Sequence, residues 1–266
     1  MEENSNRGQN RIGIIISVVA VIACLYHLVT VAWLVLPLEQ HKIVHIAMAI
    51  TLVYLLTLEK LKGFKIGVVS LFALLGIVSS LYFFINFDYL VQKIGTPTNT
   101  ETIIAMVLLV LVLDATRRAW GWIIPLLIVL ALLYGYFGPY LPGILNHGGM
   151  SIQRLMGYSV INFQGILGPL TSLGVREVFM FVVLGTTLQA SGATNFFMKI
   201  AKGGGKNFRS GPAQAAVISS SLMGSVSGNI TTNVATTGPI TIPLMNKSGY
   251  SKEYAGGIEA AASTGG

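Results

Sequence analysis

Residues 211–245 read GPAQAAVISSSLMGSVSGNITTNVATTGPITIPLM. The ends of this tract are too apolar for a loop. Its centre, Gly224 to Gly238, is too polar for an ordinary membrane helix. Two asparagines, Asn229 and Asn233, and three glycines, Gly224, Gly228 and Gly238, sit among its hydroxyls. In lipid, broken backbone and unpaired polar side chains cost free energy, so such a segment persists only where protein buries it or where it lines a cavity. That is how a site for a solute or an ion is built inside a membrane protein.

The flanks decide the path of the tract. Lys206 and Arg209 precede it, and Lys247 and Lys252 follow it. Basic residues gather on the cytoplasmic side of a membrane, which puts both ends on one face. The 35 residues between are tight for two full spans, each of which needs roughly 20. A re-entrant helix–break–helix hairpin over 211–245 fits better. Pro212 suits a first helical turn, where its missing N–H does no harm. The break is expected between Gly228 and Gly238, with Pro239 opening the return arm. At the tip, the N–H groups that start the return arm suit a carboxylate, and the carbonyls that end the first arm suit a cation.

Composition sets the class of the whole chain. Of its 266 residues, 53% are hydrophobic and only 10% charged, with a mean hydropathy of +0.71. A soluble domain carries about 25% charged residues. The expected fold is all-α, a polytopic integral membrane protein. The net charge of +7 does not mark a nucleic-acid partner, because the lysines and arginines sit in short clusters between apolar runs. Spans are expected at Ile12 to Leu36, Ile43 to Leu58, Ile66 to Phe87, Thr102 to Ala115, Trp120 to Leu141 and Glu177 to Ala190. Ser151 to Gly174, mixed and Gly-rich, reads as interfacial or partly re-entrant. Ser251 to Thr264 starts a further helix. With the N-terminus cytoplasmic, 11 basic residues fall inside and 4 outside, and the alternation never breaks across the spans. The single cysteine, Cys24, lies within a span and forms no internal disulfide.

Residues from about Val178 onward carry a family pattern. The matching stretches are FVVLGTTLQASG (Phe181 to Gly192), GPAQAAV (Gly211 to Val217), GSVSG (Gly224 to Gly228), NVATTG (Asn233 to Gly238), TIPLM (Thr241 to Met245), Gly249 with Tyr250, and EAAASTGG (Glu259 to Gly266). This last third resembles the large membrane subunit of tripartite ATP-independent periplasmic (TRAP) transporters. More narrowly it resembles the fused permeases of the TAXI type, in which a small four-helix subunit precedes the large one. The first four spans match only in number and position.

The resemblance implies an elevator-type secondary transporter in a bacterial or archaeal cytoplasmic (inner) membrane. A periplasmic solute-binding protein delivers an organic acid, and a sodium gradient drives uptake. Residues 1–118 would be a four-span scaffold domain. Residues 119–266 would begin the transport domain, half of an inverted repeat whose pattern runs on past Gly266 into a second repeat. By the same resemblance, Ser225, Ser227, Asn229, Thr232, Thr236 and Thr237 are candidates for the substrate. Ser227, Gly228, Asn233, Thr264, Gly265 and Gly266 are candidates for sodium, the one coupling ion; no other cofactor is expected. Asn229 and Thr232 depart from the small residues usual in the family.

Plainer readings stand beside these. Small and hydroxyl residues in membrane segments also serve close helix packing, with hydroxyls bonded back to their own helix. Glu259 reads as a structural hydrogen-bonding group on the helix the family breaks. His41 and His45 have an i, i+4 spacing but no evident third ligand, so an interfacial role is favoured, and His27 reads as a bundle contact. Asp114 and Arg117 suit a helical ion pair. Residues 92–100 form a polar outside segment suited to a binding-protein contact. A membrane enzyme is disfavoured, because the ten acidic residues are scattered and no carboxylate, histidine or cysteine cluster shares one depth. A purely structural or assembly subunit remains the alternative to a permease.

Overall fold

A computed structural model describes residues 2–33, 36–59, 61, 64–92, 97–192, 196, 199, 210–227 and 230–265, without the side chains of 2–11, 31, 189, 226, 227, 231, 232 and 235. Among the described residues the chain is mostly helical, with no strand. Packing divides it into two units, Met1–Val175 and Arg176–Gly266.

The first unit holds α1 (Glu2–Ala32), α2 (Leu38–Leu58), α3 (Phe64–Ile85), the short α4 (Phe87–Gln92), α5 (Asn99–Trp120), α6 (Ile123–Phe137), and the short α7 (Ile152–Met156) and α8 (Pro169–Leu173). Among the described residues, five segments are long and apolar enough to cross a bilayer: Ile12–Thr30, Leu38–Leu58, Phe64–Ile85, Ile123–Tyr140 and Pro169–Leu188. Two expectations shift here. The last span begins at Pro169 and not at Glu177, so the end of the Gly-rich stretch is helix. The Thr102 to Ala115 segment is not among the five. It lies in α5, whose 22 residues also carry Glu101, Asp114, Arg117 and Arg118.

Those charges are tolerated because α5 is the most enclosed helix of this unit. Ala105, Leu108, Leu109, Leu111 and Ala115 are buried against Ile43, Ile50, Tyr54, Val69 and Phe83. The ends of α5 then satisfy their own charges. Thr98 and Glu101 form a reciprocal capping box, Thr98 Oγ1 accepting from the Glu101 N–H and Glu101 Oε2 from the Thr98 N–H. Asp114 accepts from both Arg117 and Arg118 at 2.6 Å, one arginine more than the spacing suggested. Tyr54 donates to the Leu111 carbonyl at 3.1 Å, and the Arg118 guanidinium lies 5.5 Å from the centre of the Tyr54 ring.

Around this core, the apolar side chains of α1 and α6 face outward. Ile14, Val18, Val21, Ile22, Leu126, Leu127 and Leu130 are each about half exposed or more, a surface that lipid solvates and water does not. α2 and α3 pack tightly at Gly76, where an added Cβ would lie 2.9 Å from Ile50 Cγ2. That methyl is fixed on a branched Cβ and cannot swing away. Gly76→Val is therefore expected to destabilise this unit by roughly 1–3 kcal/mol, read as a lower melting temperature of the purified protein in lipid.

His27 joins the histidine pair, which the sequence spacing alone did not show. Its Nδ1 lies 2.7 Å from the Ala23 carbonyl and its Nε2 2.9 Å from His45 Nδ1. A carbonyl only accepts, so a neutral His27 donates from Nδ1 and accepts at Nε2, and His45 donates from Nδ1. Tyr26 bonds His41 Nδ1 at 3.1 Å. Nitrogens engaged with one another in this way are not arranged around an ion, and no group of three metal-binding side chains occurs among the described residues.

The second unit holds α9 (Phe179–Ala190), α10 (Gly211–Ser227), α11 (Ile230–Lys247) and α12 (Lys252–Thr264). α10, α11 and α12 pack mutually, and α9 packs on α10. Ala216, Met245 and Ala255 are almost fully buried where the three meet. Small residues at these contacts let the helices approach, as in membrane bundles generally.

Candidate functional site

α10 and α11 form the helical hairpin expected from the sequence, but the return arm does not open at Pro239. α10 ends at Ser227 and α11 begins at Ile230, so Pro239 and Pro243 both lie inside the return helix. A proline costs a helix in water about 3 kcal/mol. Within a membrane protein it is tolerated where neighbouring groups satisfy the freed carbonyls. Each arm, at about 1.5 Å per residue, runs about 26 Å. The pairing of Ser220 with Thr237 and of Asn233 with the Ser220 carbonyl shows the arms to be antiparallel.

The return is then repeated. Gly249 ends α11 with φ +94°, a backbone conformation that favours glycine. The Tyr250 N–H bonds the Met245 carbonyl at 3.2 Å, as in a helix C-terminal reversal. Ser251 caps α12 by accepting from the Tyr254 N–H. α12 thus runs back along α11 and brings Glu259 opposite Thr237 and Thr241.

Glu259 is the centre of this unit. It is fully buried, at 0% exposure. Its Oε1 accepts from Ser220 at 3.2 Å, from Ser263 at 3.4 Å and, in a close contact, from Thr237. Its Oε2 lies 2.5 Å from Thr241 Oγ1. Ser220, Thr237, Thr241 and Ser263 are all buried. Three helices therefore converge on one carboxyl, which the sequence offered only as a hydrogen-bonding group on α12. Nothing in the spacing could name its partners, because Ser220 stands 39 positions away and Thr237 22.

Asn233 lies on the same face of the hairpin. It is fully buried, its Nδ2 donates to the Ser220 carbonyl at 2.8 Å, and its Oδ1 has no hydrogen-bond partner. A buried amide oxygen left in this way carries a desolvation cost that a ligand would relieve. It is a hard oxygen donor of the kind that coordinates sodium at the broken helices of transporters.

The other sequence candidates divide. Thr237 is turned inward to Glu259 and also lies 2.8 Å from the Asn233 carbonyl, so in this arrangement it ties helices together. Ser225 is exposed, with its hydroxyl bonded back to the Leu222 carbonyl, the packing-type bond weighed against a site. Thr236 is half-buried. Thr264 is exposed at the end of α12 and bonds the Ala260 carbonyl, and Gly265 closes that helix on the Ala262 carbonyl. Gly228, Asn229 and Gly266, and the side chains of Ser227 and Thr232, lie outside the described residues, as do residues 93–96 of the polar segment 92–100.

The hairpin, its orphaned amide oxygen and its buried carboxyl occupy the region where the chain matches a known protein family. No curated protein and no solved structure matches the chain. Residues 107–266, more than half its length, match the family model described as "Tripartite ATP-independent periplasmic transporter, DctM component". The chain belongs to this family of membrane permease components.

Proposed function

We propose that the chain is the permease part of a sodium-coupled secondary transporter that imports organic acids handed over by a periplasmic solute-binding protein. It sits in the inner membrane with its N-terminus cytoplasmic and is of the fused TAXI type. The observation that carries this reading is the antiparallel hairpin α10–α11 with a buried, unpartnered Asn233 Oδ1 beside its turn. Such a hairpin lays opposite helix ends next to one another at its tip, positive N–H groups from α11 and carbonyls from α10, which together suit an acid and its coupling ion.

Within this reading, residues 1–118 serve as scaffold and 119–266 open the transport domain, the hairpin re-entering the membrane from the cytoplasmic side. Asn233 supplies one sodium oxygen. Backbone oxygens near Ser227 and Gly228, and the end of α12 at Thr264, Gly265 and Gly266, supply others. Ser225, Ser227, Asn229, Thr232, Thr236 and Thr237 line the substrate path when the hairpin moves.

The test is uptake into proteoliposomes holding the complete permease, with a purified binding protein outside and a panel of radiolabelled mono- and dicarboxylates. Accumulation is expected only with sodium outside and binding protein present. Uptake that ignores both would refute the reading.

A further inference from the structure

A groove of about 350 Å³ runs along α2 between α1 and α3. Val19 of α1, Val44, Ala47 and Thr51 of α2, and Ser80 and Leu81 of α3 are among the residues that line it, and none of its lining residues is charged. Leu81 is 52% exposed, so the groove opens to the side of the bundle, where lipid lies. Its two hydroxyl side chains differ. Thr51 donates to the Ala47 carbonyl at 2.7 Å, the back-bond by which a helix in a membrane satisfies a hydroxyl. Ser80 makes no such bond. It is 2% exposed, and its Oγ has no hydrogen-bond partner among the described residues. A buried hydroxyl in that state costs free energy that a ligand would recover. Water is no remedy, because a buried water needs two to four polar partners and the groove offers it one free hydroxyl.

The dimensions select the occupant. From Val44 to Thr51 the groove follows α2 for about 10 Å, in the direction in which the helices cross the bilayer and lipid chains lie. Its volume spread over that length leaves a cross-section of roughly 35 Å², which admits a hydrocarbon chain but not a helix about 10 Å across. Depth adds a second constraint. α3, Phe64–Ile85, is about 33 Å long and so just spans a hydrocarbon core about 30 Å thick. Ser80 stands about 7 Å from the end of α3, a short way below the edge of that core. Phospholipid ester carbonyls lie near that edge, and each is an acceptor without a hydrogen of its own.

We propose that this groove binds one acyl chain of a bilayer phospholipid, with Ser80 Oγ donating to the ester carbonyl at the head of that chain. A neutral ester suits the site. An ionised fatty-acid carboxylate does not, because no cation lines the groove to offset its charge. The bound chain touches α1, α2 and α3 together and gives α1 an apolar contact beside its polar ties to α2. The proposal rests on the membrane-spanning character of these three helices and is independent of the permease reading.

The test is native mass spectrometry of the complete permease, stripped of lipid in a mild detergent. Two phosphatidylethanolamines of equal chain length are added back in steps, one ester-linked and one ether-linked. The native protein is expected to bind the ester lipid about fivefold more tightly, the worth of one hydrogen bond. Ser80→Ala should erase that preference, although in an empty groove it would only remove an unpaired hydroxyl. Ala47→Phe, which fills the groove, should abolish the tight site for both lipids. Should Ala47→Phe fail to fold, Ser80→Ala still decides. Equal affinity of the native protein for the two lipids would overturn the proposal, and so would a preference that survives in Ser80→Ala. Tighter binding of a free fatty acid than of the ester lipid would do the same. A dimer of the chain that Ala47→Phe dissociates would assign the groove to a second copy and overturn it as well.

Discussion

Glu259→Ala is expected to loosen the three-helix unit by about 3 kcal/mol, the largest single loss of stability anticipated for this region. The side chain fills a fully enclosed position, so truncation leaves a cavity. It also removes the acceptor shared by Ser220, Thr237, Thr241 and Ser263. The two threonines fall back on the Asn233 and Thr237 carbonyls, which already lie within reach. The serines have less recourse. Ser220 retains only hydroxyl contacts, with Thr237 at 3.3 Å and with Ser263 at 3.5 Å. Glu259→Gln keeps the volume and one acceptor, and should cost about 1 kcal/mol. Thermal unfolding in lipid, with hydrogen exchange read over residues 211–264, distinguishes the two. Equal melting temperatures for Ala, Gln and the native protein would show that the carboxyl does not hold these helices together.

Asn233→Ala is expected to raise the sodium concentration for half-maximal uptake at least tenfold while membrane insertion stays intact. Tenfold corresponds to about 1.4 kcal/mol, within the range of one lost charge-assisted contact. The argument rests on division of labour within one side chain. Nδ2 braces the hairpin through the Ser220 carbonyl, whereas Oδ1 has no partner and is available to an ion. Asn233→Asp preserves that oxygen and adds charge, so it should retain sodium dependence better than alanine. Unchanged sodium dependence in Asn233→Ala would remove this residue from the ion site.

The hairpin was legible in the sequence because its cause is local. A polar, glycine-bearing centre between apolar arms, bounded by basic residues on both sides, has few solutions in a bilayer. The position of the turn was less legible. Pro239 reads as the opening of the return arm, yet it lies within α11. Glu259 stood out in sequence only as an acid on an otherwise small-residue helix. Its partners are invisible there, since they come from three helices and meet only after two chain reversals. Asp114 shows the same limit on a smaller scale: its second arginine, Arg118, is adjacent in sequence, but the enclosure of α5 that makes the triad worthwhile is tertiary.

The way α1 is held has a practical consequence. Among its described side chains the buried ones are Ala23, His27 and Thr30, and the side-chain hydrogen bonds that reach from it to α2 run through imidazole and phenol groups. Little greasy surface anchors it. Short-chain detergents, which replace lipid on its outer face and wet that polar seam, should peel this helix away first, so mild, bulky detergents are the better choice for purification.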